Sequence, residues 1–291
     1  MTACLLPPAP GSATLSCTGL LDLPLTCEQG WSLEQLQIGF PAVRPVVRSR
    51  ALDDGVFDDT LFVGARAVTV TLRMATATAT QAAIDAIMPF MSPRQRPTLT
   101  WALAGSPGNL RSLTLRGVDA PVVIDGPSYQ RIVCSWVSTE SYLRGGDEHC
   151  VAAVAQATEG RTYDLTFDRV YASVAPSVSF IVNNAGTAPA RWRAVINATA
   201  TDPTLTINGV PMTFNQNGGV NLVGFDQLFI STAERSVLIT PFPLSSAYDR
   251  VNFFDWRWDE LLLQPGDNLI TFTVSAGNNS LLEFCWYDSW L

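Results

Sequence analysis

Arg66-Ala67-Val68-Thr69-Val70-Thr71-Leu72-Arg73-Met74 decides the fold class. From Val68 onward an apolar side chain follows every polar one, the period of a strand with one face buried. Val and Thr, branched at Cβ, suit a pleated surface better than a helix. Directly after it, Thr80 to Met91 (TQAAIDAIMPFM) changes period. Ala83, Ile84, Ile87 and Phe90 recur at helical spacing, with Thr80 expected as N-cap and Pro93 as the stop. A strand followed by one short helix and a return to strands is the unit from which the reading extends.

The alternation continues on both sides. Leu33–Phe40 reads as a strand, with Arg44–Arg50 expected to pair with it. Thr98–Leu103, Leu110–Val118, Arg131–Tyr142, His149–Ala157 and Tyr163–Tyr171 read as further strands, and Gly145–Gly146 as a turn. From Ser177 the strands become shorter and closer, at Val178–Val182, Arg191–Ala198, Thr204–Ile207, Met212–Phe214, Gln227–Ser231, Ser236–Thr240, Leu269–Ser275 and Leu281–Trp286. That spacing predicts a β-sandwich. Asn208-Gly209 marks a tight hairpin, because both residues tolerate positive φ. The predicted architecture is mostly β. Residues 1–172 form an α+β domain with one short helix, in which residues 1–30 are a possible arm, and residues 173–291 form the sandwich.

The 291-residue length supports two domains. Charged residues make up 15% and hydrophobic ones 47%. The charged share is well below the roughly 25% usual for soluble domains, so much surface is expected to be covered by partners. All 18 cations are Arg, and the net charge is −8. Such a balance argues against gripping phosphate and suits a surface that nucleic acid slides past. No apolar run approaches the roughly 20 residues needed to span a bilayer. Three prolines in the first ten residues and the absence of a cation before Arg44 speak against a signal peptide.

Little in the chain suits catalysis. It holds one histidine, His149, and no nucleophile elbow, Walker loop or dinucleotide fingerprint. His149 cannot meet Cys150 directly, since strand neighbours point to opposite faces. The six cysteines lack metal-knuckle or redox spacing and are expected mainly as buried or free thiols, the alternative being one or two disulfides in an extracellular particle. No catalytic residue, metal or cofactor is predicted. Two clusters remain. Asp53, Asp54, Asp58 and Asp59 read as a solvated loop between strands, as an acidic wall facing nucleic acid, or as a cation site whose spacing fails the EF-hand pattern. Trp256, Trp258, Trp286 and Trp290 read as sandwich packing or as rings that stack on sugars, with Trp256 and Trp258 expected on one strand face.

Three ordered stretches carry a resemblance. Leu261–Phe272 (LLLQPGDNLITF) resembles an L-x-P-G-x-N-x-I-x-F turn. Asn183–Trp192 (NNAGTAPARW) resembles an N-x-G-x-x-x-A strand opening. Leu282–Leu291 (LEFCWYDSWL) looks like a closing aromatic strand. With the Arg66–Leu72 strand and its helix, they make the chain similar to the distal tail proteins of siphovirus-type phages. That resemblance implies a virion component at the distal end of the tail, made in the host cytoplasm. It implies a homo-oligomeric, hexameric ring built by the first domain, related to tail-tube subunits. The galectin-like or carbohydrate-module-like sandwich lies outside. The implied partners are the tail tube protein, the tail-tip hub or tail-associated protein and the nearby tape measure protein, with DNA passing through the lumen. The competing reading is a carbohydrate-binding protein contacting the host cell wall.

Overall fold

The computed structural model describes residues 13–25, 30–49, 56–74, 76–103, 106–125, 129–138, 140–156, 175–197, 199–240, 245–252, 257–276 and 279–291. The chain is mostly β, with a single α-helix among the described residues. It divides into two compact units, Met1–Gly146 and Asp147–Trp290.

The first unit contains β1 (Ala13–Ser16), β2 (Leu23–Pro24), β3 (Trp31–Ile38), β4 (Val43–Ser49), β5 (Val56–Val63), β6 (Arg66–Met74), α1 (Ala77–Met91), β7 (Thr98–Leu103), β8 (Ser106–Thr114), β9 (Arg116–Gly117), β10 (Val122–Asp125), β11 (Gln130–Ser138) and the start of β12 (Leu143–Ala155). One sheet runs β2-β1-β7-β8 and ends on Arg144 and Gly145 of β12. The other runs β10-β11-β6-β3, with β9 also on β11. The alternation read in β6 is the burial pattern observed. Val68, Val70, Leu72 and Met74 lie in the core with Ile132, Cys134 and Trp136 of β11, their antiparallel neighbour. Ala83, Ile87 and Phe90 bring one stripe of α1 onto the same core. Burial leaves the Cys134 thiol as a core residue, with its pKa pushed up to about 12.

Three expectations change here. The helix starts earlier than read: Thr76 is the N-cap, its hydroxyl accepting from Ala79 N at 3.2 Å. Thr80 lies inside the first turn, its hydroxyl within hydrogen-bond distance of both Thr76 O and Gln130 Oε1. The cap decides the boundary. Second, β4 pairs with β5, not with β3. Third, Gly145 and Gly146 sit within β12. A Cβ on Gly146 would meet Leu110 Cβ at 2.3 Å, so this glycine permits close approach.

The second unit continues β12 and adds β13 (Ser177–Asn184), β14 (Trp192–Asn197), β15 (Ala200–Thr201), β16 (Thr204–Ile207), β17 (Val210–Thr213), β18 (Asn221–Leu222), β19 (Gln227–Ser231), β20 (Ser236–Ile239), β21 (Ser245–Ser246), β22 (Gly266–Thr273) and β23 (Ser280–Trp290). Two sheets, β12-β23-β14-β19-β20-β21 and β13-β22-β16-β17, enclose one core. Asn208 and Gly209 take φ of 50° and 87° and close the β16–β17 hairpin between Ile207 and Val210. The two units part inside β12, some 25 residues before the division near 172 expected from the sequence. That expectation rested on the change to short, closely spaced strands from Ser177; the Tyr163–Tyr171 strand read before it lies outside the described residues.

Gly117 offers a test of how α1 is seated. A Cβ there would lie 2.0 Å from the Met91 carbonyl oxygen, a backbone atom that cannot swing away. Gly117→Ala is expected to destabilise the first unit sharply, by about 3 kcal/mol or more, and so to lower its thermal midpoint. Gly19→Ala is the comparison for its φ of 83°, because open space surrounds its Cβ position. Equal stability of the two variants would contradict the packing described.

Candidate functional site

The stretches that stood out in the sequence converge in the second unit, and buried amides explain them. Pro265 and Gly266 (φ 90°) make the turn before β22. Asn268, with no solvent exposure, closes it. Its Nδ2 donates to Gln264 O and Gly266 O, both at 2.8 Å. Its Oδ1 accepts from Gln264 N at 2.8 Å and from Asn208 Nδ2 at 2.7 Å. Asn208 in turn accepts from Leu269 N at 2.9 Å, so one amide chain joins the β16–β17 hairpin to the Pro-Gly turn.

Asn184 plays the same part at the other motif. Its Nδ2 donates to Ala188 O at 2.8 Å and Leu263 O at 3.3 Å. Its Oδ1 accepts from Gly186 N at 3.1 Å and Ser289 N at 3.2 Å. Gly186 is obligatory beside it, because a Cβ would sit 1.7 Å from Ser289 O. Asp288 accepts from Ala185 N at 3.0 Å, completing the junction between this loop and the last strand.

Of the four tryptophans singled out, Trp258 and Trp286 are buried. The Trp286 indole donates to Asn183 O at 3.1 Å, and that of Trp258 to Tyr248 Oη at 3.0 Å. Trp258 opens a turn instead of sharing a strand face with Trp256, which lies outside the described residues. Trp290 is half-buried at the end of β23. Phe284 and Trp286 do share a face, their centroids 6.2 Å apart, and Trp192 stacks on Phe284 at 4.9 Å. Of the acidic group, Asp58 and Asp59 belong to strand β5 and not to a loop. Asp53 and Asp54 lie outside the described residues.

The sequence reading missed an assembly on β12. Glu148 and Cys150, two residues apart, share one face, and His149 takes the other. The Glu148 carboxylate receives a bidentate pair from Arg193, at 2.8 and 3.0 Å. That hydrogen bonding holds its pKa below the usual carboxylate range and raises that of Arg193. His149 Nε2 lies 3.4 Å from Asp288 Oδ2, and its ring lies 5.4 Å from that of Trp286. Cys150 is bonded to Cys285 across 135 residues of sequence. For this pair the disulfide alternative holds in place of the preferred reading of free thiols, which holds among the described residues for Cys17 and Cys134. No spacing rule reveals a bridge over that distance; strand adjacency makes it. Donor atoms of Glu148, Cys150 and Cys285 lie within 4.8 Å of one another. With the sulfurs joined to each other, they offer no thiolate to a metal.

The fold defines a two-unit β protein in which one helix-bearing unit precedes a sandwich. No family profile matches the sequence, and no curated protein matches it with significance. The crystal structure of the SPP1 Dit protein, described as a paradigm of the hub adsorption apparatus in Gram-positive-infecting phages, is similar with a TM-score of 0.62 at 13% identity, covering 96% of this chain and 99% of that one. The phage P2 baseplate in its activated conformation with Ca is a looser match, with a TM-score of 0.44 at 8% identity over 95% of this chain and 97% of that one. The first likeness is one of fold, over nearly the full length of both chains.

Two predictions follow from the site. Asn184→Ala leaves buried backbone groups without partners and is expected to cost roughly 2–3 kcal/mol in urea unfolding. Asn183→Ala, whose exposed amide meets Asp267 at 2.7 Å, should cost within about 0.5 kcal/mol; equal losses would contradict the clip. Glu148→Gln should cost no more than about 1 kcal/mol at pH 7, because the pair is half-exposed. The folded Glu148 pKa is depressed, so the pair's contribution is present above the unfolded value near 4.3 and lost as pH falls through the folded one. Urea midpoints of wild type and variant should therefore differ at pH 7 and converge at low pH.

Proposed function

We propose that the chain is a structural, non-enzymatic subunit of a phage tail tip, specifically of the distal ring of a long-tailed, siphovirus-type tail. The observation that carries the reading is the end-to-end likeness of fold to the SPP1 Dit protein. The two motif stretches add support, since the amides and glycines in them hold the second unit together. In this reading the first unit makes a hexameric ring. The ring joins the tail tube to the hub near the tape measure protein, and DNA passes through its lumen without specific binding.

Physical chemistry favours such a role. The sheet β10-β11-β6-β3 has two ends, and cyclic assembly covers strand ends that an isolated chain must otherwise protect. The −8 charge suits a wall past which phosphate moves. Within this proposal the acidic residues Asp53, Asp54, Asp58 and Asp59 of the β4–β5 region face the DNA path. Among the described residues, no helix is long and apolar enough to cross a membrane.

Light scattering coupled to gel filtration, followed by negative-stain imaging, tests the proposal. Six-membered rings are the expected outcome, at least at the highest concentrations. A monomer at every accessible concentration would overturn it.

A further inference from the structure

Strand β12 differs from its neighbours in what it buries. From Gly146 to Val154 its residues are exposed or half-exposed, and only Ala155 belongs to the buried core. Strand β23 beside it buries Leu282, Phe284 and Trp286. The ladder between β12 and β8 covers Arg144 and Gly145. Beyond Gly145 the strand's neighbour in the sheet is β23. Apart from that backbone ladder and Val151, which packs half-buried against the sandwich core, three side-chain links among the described residues hold it: Glu148 to Arg193, His149 to Asp288, and Cys150 to Cys285. The Glu148–Arg193 pair is half-exposed and weak by nature, and His149 reaches the buried Asp288 from an exposed position. The third is covalent, and its two ends are unlike. Cys150 is exposed, whereas Cys285 is 1% exposed.

We propose that the Cys150–Cys285 bond is an exchangeable disulfide, the principal fastening of β12, and that an external thiol opens it by attack at Cys150. Attack on a disulfide requires approach along the S–S axis from behind the sulfur that is struck, so access decides which sulfur reacts. Only Cys150 offers that access. The incoming thiolate forms a new S–S bond to Cys150 and expels Cys285 as a thiolate. A second thiol then strikes the mixed disulfide, leaving two protein thiols and one disulfide of the reductant. Two thiols supply the two electrons, and no other redox partner is required. The charged groups beside the bond come from each adjoining strand. Arg193, opposite Cys285 in the β14–β23 ladder, favours the departing thiolate. Glu148 on β12 and Glu283 on β23 oppose it. Opening the bond leaves β12 on its ladder, the Glu148–Arg193 pair and the His149–Asp288 contact, with little apolar burial beyond Val151 and Ala155 to retain it. The strand loosens while the sandwich core stays closed. The device is independent of any oligomeric role.

Two measurements on the full chain test this. In the first, the native protein is treated with glutathione, quenched with an alkylating agent and digested for mass spectrometry. The expected product carries glutathione on Cys150 and the alkyl group on Cys285. Glutathione on Cys285, or resistance to thiols until the protein is denatured, would overturn the assignment. In the second, amide hydrogen exchange is compared before and after native reduction. Exchange across Asp147–Val154 should rise roughly tenfold or more, with β14, β19 and β22 unchanged. The Cys150→Ser, Cys285→Ser double variant should show the raised exchange without reductant and no further change on adding it. Unchanged protection of β12 in reduced wild type, or loss of protection throughout the unit, would refute the fastening role whether or not the variant folds.

Discussion

The second unit depends on one side chain, the amide of Asn184. It has no access to water, and it uses both amide hydrogens and accepts twice on its oxygen. Its partners belong to the loop after β13, to the segment before β22 and to the last strand. Those are three pieces of chain far apart in sequence, fixed at one point. A buried amide left half-satisfied would destabilise the unit, so its neighbours must hold their positions. Ser289 is set in this way, and with it the register of β23. Trp286 then reaches Asn183 O, and Phe284 meets Trp192 and Phe180. The aromatic core follows from the polar clip.

The same economy explains the low charge of the chain. Among the described residues the buried polar side chains are mostly neutral: Ser32, Thr80, Ser112, Ser138, Asn184, Thr232, Asn268, Ser280 and Ser289, against Arg66, Arg111 and Asp288. Neutral amides and hydroxyls satisfy backbone groups without the desolvation penalty of an ion pair. The Arg131–Glu34, Arg144–Glu140, Arg193–Glu148 and Arg235–Asp259 pairs lie at or near the surface, where salt screens them.

Much of the architecture was legible because burial imposes a period. β6, Thr204–Ile207 and Gln227–Ser231 match the sequence reading residue for residue, and the Asn-Gly hairpin follows from backbone sterics alone. Legibility ended where a tertiary partner decides. Thr76 outcompetes Thr80 as cap because its hydroxyl reaches Ala79 N, and no pattern ranks two threonines four residues apart. Gly145–Gly146 looked like a turn, yet Leu110 needs that space in mid-strand. The motif asparagines were recognisable as a pattern, but their role required knowing which carbonyls surround them. The links from Glu148, His149 and Cys150 were invisible, since Arg193, Asp288 and Cys285 become neighbours only when the sheet is assembled.

The strand by which the chain enters the second unit lies against the one that ends it, as the bond between Cys150 and Cys285 and the contact of His149 with Asp288 require. A unit whose ends are side by side is a cassette. It can be cut out of one host chain and spliced into another without rethreading its core, and its ends can be joined and reopened elsewhere. The Val223–Asp226 turn, with Phe225 fully exposed, is an obvious place to reopen it. Shuffling of such modules between otherwise unrelated chains would conserve the amide clips and little else.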